Sequence, residues 1–208
     1  MKTLAQFKSV LELVRTFDTE EKCIEYLKQL RWKDNIECPH CQNSEKKIYE
    51  YKNGKMYKCS SCQKQFNVTT NTIFQGTHIS LRNWFYALYT FVNYKKGISS
   101  IQISKDLGIT QKSAWAMLHK IRYAMKDREG KLSGEVEVDE TFIGGKNKNR
   151  HYNKRVKNNQ GRSLKDKAGI YGCVERGGRV RTIHIRKMYG KGMRLLLAKF
   201  VDISSIIY

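Results

Sequence analysis

The sequence contains little proline, few acidic residues and no long apolar run. One proline occurs among 208 residues, which argues against long extended linkers, because proline-rich segments are stiff and extended. No apolar run approaches the ~20 residues of a membrane-spanning helix. The N-terminus also lacks the hydrophobic centre of a signal peptide. We therefore expect a cytoplasmic protein with no membrane partner.

Acidic residues are scarce beside basic ones. The chain has 19 Asp and Glu against 40 Lys and Arg, which gives a net charge of +21. So many positive charges repel one another in a folded chain and do not help it to fold. Such an excess is typical of a protein that binds a polyanion. The basic residues are spread over the whole length, so the charge does not form a single polybasic tail.

Four of the six cysteines form two Cys-x-x-Cys knuckles, at residues 38–41 and 59–62. Each knuckle lets two sulfur atoms approach one ion, and the seventeen-residue spacer can form a hairpin that brings the pairs together. The other two cysteines, Cys23 and Cys173, lie in apolar surroundings, which favours a metal site over a disulfide framework. The predicted ligands of a structural Zn²⁺ ion are Cys38, Cys41, Cys59 and Cys62.

The same four sulfur atoms leave other possibilities open. A rubredoxin-like iron site or a redox dithiol would use the same residues, although structural sites of this spacing are mostly zinc. His40 lies within the first knuckle. Because four sulfur atoms already fill a tetrahedral site, a solvent-facing role for His40 is favoured.

Residues 34–70 are predicted to form a zinc ribbon. Alternating residues at 47–51 and 55–58 flank Asn53 and Gly54, and an Asn-Gly pair in that setting is a strong hairpin signal. A closing strand follows at residues 65–68. Aromatic side chains on this hairpin could instead stack RNA bases, although hairpin aromatics are more often core. These side chains are Tyr49, Tyr51 and Tyr57.

Helical patterns flank the ribbon on both sides. Residues 1–33 predict two N-terminal helices, and residues 79–130 predict helices that include a helix-turn-helix, with Thr110 capping its second helix. Trp115, Leu118 and Ile121 are expected to face the core. A plain helical bundle without groove contact is the alternative, but the basic charge favours DNA binding. The residues predicted at the exposed start of the second helix, where base edges are met, are Gln111, Lys112 and Ser113.

An acidic strand is predicted from residue 134 to residue 145. Its side chains alternate with period two, so Glu137 and Asp139 share one face while Val136 and Val138 share the other. Carboxylates on a rigid strand of a basic protein suit capture of a divalent ion, and metal-bound oxygens suit phosphodiester chemistry. The alternative is an exposed edge strand whose acidic residues keep it soluble.

A basic loop follows the acidic strand. Residues 146–167 hold nine Lys and Arg and a single acidic residue, Asp166. Such a loop is expected to lie on phosphates and to bind more weakly as salt rises; a mobile solvated loop is the alternative. Two strands, a helix and a short apolar run then complete the chain. The loop residues predicted to contact DNA are Lys146, Lys148, Arg150, Lys154 and Arg155.

The order of these segments resembles insertion-sequence transposases of bacteria. In that family an N-terminal zinc ribbon is joined to a ribonuclease-H-like catalytic domain with an acidic triad (the DDE type). The most specific part of the resemblance is the segment DETFIGGK at residues 139–146. The implied fold class is α+β and multi-module, with residues 134–208 forming the N-terminal part of a ribonuclease-H-like α/β domain.

The resemblance implies a role for particular residues and partners. Asp139 would be the first carboxylate of the triad, and therefore both catalytic and a ligand of Mg²⁺ or Mn²⁺. The second carboxylate is expected just beyond Tyr208 and the third further on, since Asp202 does not match the pattern. A chain cut short in this way is expected to bind DNA without cutting it appreciably. The implied partners are double-stranded DNA of the transposon ends and target, and further copies of the chain in a synaptic complex on the bacterial nucleoid.

The alternative is a non-catalytic DNA-binding regulator with the same ribbon and helix-turn-helix.

Overall fold

The chain folds into two units, residues 1–126 and residues 127–208. The computed structural model describes residues 3–33, 35–42, 47–51, 54–125, 130–158, 163–186 and 190–208. Mixed helices and sheets in both units confirm the predicted α+β fold class.

The first unit begins with a short 3-10 helix and two α-helices. Polar caps set where the helices begin, because a side-chain oxygen accepts a hydrogen bond from a free backbone N–H of the first turn. Ser9 accepts from the Glu12 N–H, and Thr19 accepts from the Lys22 N–H. The elements are the 3-10 helix Leu4–Gln6, α1 (Val10–Thr16) and α2 (Glu20–Trp32).

A three-stranded antiparallel sheet follows, in the order β1-β2-β3. The predicted hairpin is present, with Gly54 at a φ of 74°, a conformation that glycine adopts without steric cost. Asn53 of the predicted turn lies outside the described residues. The strands are β1 (Ile48–Tyr51), β2 (Met56–Cys59) and β3 (Gln65–Phe66).

Three helices complete the first unit. Thr110 caps the last of them as predicted, since its side chain accepts from the Ser113 N–H. Gly108 lies in the left-handed region at φ 63° and ends the preceding helix, so only three residues separate the last two helices. The helices are α3 (Leu81–Asn93), α4 (Ser100–Leu107) and α5 (Gln111–Ala124).

One hydrophobic core joins the helices to the ribbon. Trp32 at the end of α2 packs edge-on against Tyr57 and Phe66 of the ribbon, with ring centroids 5.2 and 6.0 Å away. Tyr57 is 1% exposed, so it is not available to stack on a base. The carboxylate of Glu20 in α2 accepts the backbone N–H of Leu81 at 2.9 Å, which satisfies a free donor at the start of α3.

The second unit contains a four-stranded sheet in the order β6-β5-β4-β7. Strands β4, β5 and β6 pair antiparallel, and β7 returns after a helix to lie parallel to β4. The elements are β4 (Glu135–Ile143), β5 (Ala168–Glu175), β6 (Val180–Ile185), α6 (Gly190–Phe200) and β7 (Ile206–Ile207).

The core of the second unit lies on one side of this sheet. Val136 of β4 is fully buried, whereas Glu137 and Asp139 are exposed. This alternation confirms the predicted period of two along the acidic strand. The buried residues of this core are Leu132, Val136, Tyr171, Cys173, Ile185 and Val201, with Phe200 of α6 packed against them.

Glu175 at the end of β5 gives the second unit a pH-dependent contact. The Ser133 N–H donates to its carboxylate, and Arg179 donates both a backbone N–H and its guanidinium, which lowers the pKa of Glu175 from 4.5 to about 2. Because the folded protein holds the charged form more strongly than the unfolded chain does, the stabilisation is complete above pH 4.5 and is lost as the pH falls towards 2.

We therefore expect Glu175→Gln to lower the melting temperature of the second unit at neutral pH. The difference from the wild type should shrink as the pH falls from about 4.5 towards about 2. Thermal unfolding followed by circular dichroism across this pH range measures it. A difference that stays constant with pH would contradict the assigned contact.

Candidate functional site

The four knuckle cysteines form a compact sulfur cluster in the first unit. Their Sγ atoms all lie within 4.8 Å of one another. Cys38 and Cys62 are 3.6 Å apart, and Cys41 and Cys59 are 3.7 Å apart, measured between Sγ atoms. A tetrahedral ion with ~2.3 Å bonds to sulfur requires Sγ atoms about 3.8 Å apart. These two separations are close to the tetrahedral value, and the cluster as a whole could hold one metal ion.

The same backbone turn builds both knuckles. The N–H of Gln42 donates to the Cys38 carbonyl at 2.8 Å, and the N–H of Gln63 donates to the Cys59 carbonyl at 3.0 Å. Gln42 and Gln63 both have positive φ, 55° and 57°, a left-handed conformation uncommon for residues other than glycine. The turn that follows each Cys-x-x-Cys thus aims both of its sulfur atoms at one point.

The pKa values of two of the thiols are shifted in opposite directions, one by backbone donors and the other by burial. The Cys62 N–H lowers the pKa of the Cys59 thiol to about 7, because it donates a hydrogen bond to the thiolate. Burial raises the pKa of the Cys38 thiol to about 11, since an isolated thiolate is poorly solvated there. A bound cation would remove that penalty, because a coordinating thiol is deprotonated. His40 is exposed and its Nε2 lies 3.3 Å from the Gln65 carbonyl, away from the sulfur cluster.

The helix-turn-helix places its predicted DNA contacts at the start of α5. Lys112 is exposed. The side-chain amide of Gln111 donates to the Ser100 hydroxyl at 2.8 Å, and the Ser113 hydroxyl lies 2.9 Å from that of Thr110. Two of the three predicted contacts therefore have hydrogen-bond partners within the motif.

The expected burial of Trp115 is wrong. Leu118 and Ile121 are buried as predicted, but Trp115 is 54% exposed. The buried side of α5 runs through Ala114 and Met117. Around the helix the buried residues follow one another in the order Met117, Ile121, Ala114 and Leu118. Trp115 lies about 60° beyond Leu118, outside this arc.

Asp139 lies on the exposed face of β4, which has β5 on one side and β7 on the other. One of its carboxylate oxygens accepts the Glu140 N–H at 2.8 Å. Its register partner on β5 is Gly172, so no side chain crowds it from that strand. Tyr208 follows β7 directly, and its carbonyl accepts the Val138 N–H at 3.0 Å, one residue before Asp139.

Two of the other three carboxylates of β4, Glu135 and Glu137, bind an arginine. Arg176 donates from Nε to Glu137 at 2.9 Å and from Nη1 to Glu135. Among the described residues, the four cysteines are the one cluster of three or more His, Cys, Asp or Glu side chains that could hold a metal. Asp139 differs from Glu135 and Glu137, because its described contact is with the backbone N–H of Glu140.

The basic loop is closed by its own hydrogen bonds. Asn147 exchanges two hydrogen bonds with the backbone of Val156, at 2.8 and 3.0 Å. The guanidinium of Arg155 donates to the carbonyls of Arg150 and Lys148 at 3.1 and 3.0 Å. No sequence signal pointed to Asn147, because its partner lies nine residues away in an irregular segment.

The five predicted DNA contacts of this loop divide into two kinds. Arg150 donates to the Asp166 carbonyl at 3.0 Å and lies 3.8 Å from its carboxylate, so Arg150 and Arg155 both bind the loop itself. The lysine side chains are exposed at its surface. These exposed lysines are Lys146, Lys148 and Lys154.

Two protein families match separate parts of the chain. Residues 18–65 match a transposase zinc-ribbon domain, and residues 131–208 match an ISXO2-like transposase domain. Over 203 residues the chain is 27% identical to an uncharacterized protein in transposable element ISH50 of Halobacterium salinarum, covering 94% of this chain and 68% of that protein. No solved structure matches the chain.

These matches define the class of protein to which the chain belongs. It is a transposase, with a zinc ribbon on the N-terminal side of its transposase domain. The chain belongs to the insertion-sequence transposases, as the sequence resemblance implied, and the alternative of a non-catalytic regulator is not supported. The four cysteines lie within the matched zinc-ribbon segment and fit the metal site of such a domain. No helix among the described residues has both the length and the apolar character needed to cross a bilayer.

Proposed function

We propose that the chain binds the DNA ends of its insertion element, and that Asp139 is the first carboxylate of the site that cuts and joins the strands. The position of Asp139 carries this proposal. It is an exposed carboxylate on an interior strand of the sheet, within the segment that matches the transposase domain. Its neighbours Glu135 and Glu137 are held by Arg176, whereas its own carboxylate is not engaged by a cation in any contact that the structure describes.

The strand next to Asp139 is uncrowded at Gly172. A methyl group added at Gly172 would meet the Asp139 carbonyl oxygen at 3.8 Å and Thr182 at 4.0 Å, which are ordinary van der Waals contacts. A bound Mg²⁺ or Mn²⁺ would supply Lewis-acid activation of the attacking hydroxyl. Asp139 would hold that ion, and the sheet behind it would keep the carboxylate in a fixed position.

The DNA contacts of the proposal come from both units. The start of α5, with Gln111, Lys112 and Ser113, would lie against the DNA of the element's end. The exposed lysines of the basic loop would lie on phosphates, with Arg150 and Arg155 holding the loop in shape. Joining two ends in one synaptic complex would require at least two copies of the chain, because each end needs its own set of contacts. Because its DNA substrate would be the chromosome, we expect the chain to be located at the nucleoid.

Asp139→Asn tests the proposed carboxylate through DNA binding rather than cleavage. With the ribbon loaded with zinc and Mg²⁺ left out of the buffer, the wild-type carboxylate should repel a nearby phosphate, so Asp139→Asn is expected to bind a DNA duplex about fivefold more tightly. At constant ionic strength, added Mg²⁺ should favour DNA binding by the wild type more than binding by the variant, which lacks the carboxylate. Fluorescence anisotropy with a labelled duplex measures both quantities.

Asp202→Asn is the matched control for this experiment. It removes the same charge from the same unit, and Asp202 accepts hydrogen bonds from Ser204, away from the Asp139 segment of β4. The control should keep the Mg²⁺ response of the wild type. Equal responses to Mg²⁺ in the wild type and Asp139→Asn would overturn the assignment of Asp139.

A further inference from the structure

The exposed face of α5 carries an aromatic pair, Trp115 and His119, that lies outside the hydrophobic core. The chain has three tryptophans. Trp32 and Trp84 are 5% and 2% exposed, whereas Trp115 is 54% exposed. The ring of His119, one helical turn further on, lies 4.1 Å from the Trp115 ring between centroids, at an interplanar angle of 58°. Contact with His119 limits the orientations open to the indole, so Trp115 presents an ordered apolar surface on the outer side of the helix.

The surroundings of this pair match a polyanion. Helix α5 contains no acidic residue and carries Lys112, Lys120 and Arg122. Lys120 donates to the Gln75 carbonyl at 3.4 Å and Arg122 lies over the Phe91 ring, so both cations are placed along the sides of the helix. An apolar strip between cations suits the DNA major groove, where phosphates line both edges and base edges form the floor.

The polar side chains at the start of α5 are hydrogen-bonded within the helix-turn-helix, so an apolar side chain of α5 can contact the DNA bases instead. Gln111 is turned towards Ser100 and Ser113 towards Thr110. Ala116, beside Trp115, is exposed and small, so the helix backbone can approach the groove closely at this turn. The apolar group that base pairs present in the major groove is the 5-methyl group of thymine.

We propose that Trp115, positioned by His119, contacts a thymine 5-methyl group in the DNA of the element's end and so contributes to sequence recognition. The inference rests on the proposed function and deepens it, because it names the base feature that the helix recognises. Gln111 then orients the start of α5 against α4, and Lys112 contacts phosphate.

The test begins with the zinc-loaded full chain and a DNA duplex pool with a randomised segment. The wild type is used to select a bound sequence, and each thymine of that sequence is then replaced singly by deoxyuridine, which lacks the methyl group. We expect one replacement to weaken wild-type binding about fourfold, the loss that one buried methyl group gives. Trp115→Ala should bind the selected sequence more weakly and should not respond to that replacement.

Two further variants keep the test decisive. Trp115→Phe should retain the response to deoxyuridine, because the contact is apolar and does not need the indole N–H. Tyr123→Ala, which removes another exposed aromatic ring two turns along the same helix, should also retain it. Iodide quenching gives an independent readout, since Trp115 is the exposed tryptophan and bound DNA should protect it.

The outcomes separate the inference from the function on which it rests. If the wild type selects no sequence, end binding and the inference both fail. If it selects a sequence but Trp115→Ala shows the same response to deoxyuridine, the inference alone fails. It also fails if Trp115→Ala dissociates a dimer in sedimentation without changing DNA recognition, since the face would then be a contact between copies of the chain.

Discussion

Replacement of Cys59 by serine is expected to unfold the ribbon and to destabilise the whole of residues 1–126. Cys59 is a buried member of the sulfur cluster and part of the core that joins the ribbon to the helices. In such sites the free energy of zinc binding contributes directly to the free energy of folding, and it amounts to roughly 10–16 kcal/mol in zinc-finger peptides. That figure is comparable to the ~5–15 kcal/mol total stability of a typical domain. Loss of the ion therefore removes most of what keeps this unit folded.

The effect should spread from the ribbon into α2. Trp32 packs on Tyr57 and Phe66, and the Arg31 guanidinium donates to the Val68 carbonyl at 2.7 Å. Once the knuckles open, these contacts lose their partners. Hydrogen exchange should show loss of protection in β1, β2 and β3 first and then at the end of α2, either in the Cys59→Ser variant or after chelation of the wild type.

Cys23→Ala is the matched control for the zinc experiment. Cys23 is a fully buried thiol of the same unit that lies outside the sulfur cluster, so the variant should keep its zinc and its ribbon protection. Strands β4 to β6 provide an internal control, because no ligand of the cluster comes from the second unit. Protection of β2 that survives complete removal of zinc would contradict the predicted coupling.

Features set by neighbouring residues were predictable from the sequence. The knuckles, the hairpin at Gly54, the Thr110 cap and the alternation along β4 all depend on chemistry within a few positions of the chain. Local steric and hydrogen-bonding preferences decide such features with little help from the rest of the fold. The sulfur cluster was predictable for the same reason, since each knuckle is local and the hairpin brings the two together.

Features that depend on distant partners were not predictable. The Glu20 carboxylate caps α3 through Leu81, which lies 61 residues away. Burial of Trp115 was wrongly expected because residues 115, 118 and 121 recur every third position, a spacing that drifts about 60° per step around a helix. The true buried arc, through Ala114 and Met117, shares Leu118 and Ile121 with that pattern, so the pattern alone could not separate them.

The basic loop shows why charge alone does not identify a DNA contact. The sequence predicted Arg150 and Arg155 as DNA contacts. In the structure their guanidinium groups instead donate hydrogen bonds to backbone carbonyls of the loop itself. Their substitution should weaken DNA binding indirectly, by loosening the loop. The carboxylate of Asp166 is buried beside Arg150, which ties the end of the loop to its beginning. We therefore propose the exposed lysines as the direct contacts.

Replacing Lys146, Lys148 and Lys154 together by glutamine is expected to give the largest loss of DNA affinity. Each phosphate contact releases counterions and contributes about 0.9 to the slope of log affinity against log salt. Three contacts would therefore reduce the slope by about 2.7 and lower the affinity at about 0.1 M salt by two to three orders of magnitude. Anisotropy titrations over a range of salt concentrations measure both quantities.

The control for this triple variant removes the same charge elsewhere. Lys8, Lys33 and Lys199, none of them in the basic loop or the helix-turn-helix, are replaced by glutamine together. If the loop lysines act by direct contact, the control should change the slope far less, because charges beyond about 10 Å are screened at 0.1 M salt. Equal slopes for the two triple variants would mean that the net charge of the chain, rather than a positioned loop, holds the DNA. That result would remove the loop from the proposed interface and leave α5 as its remaining part.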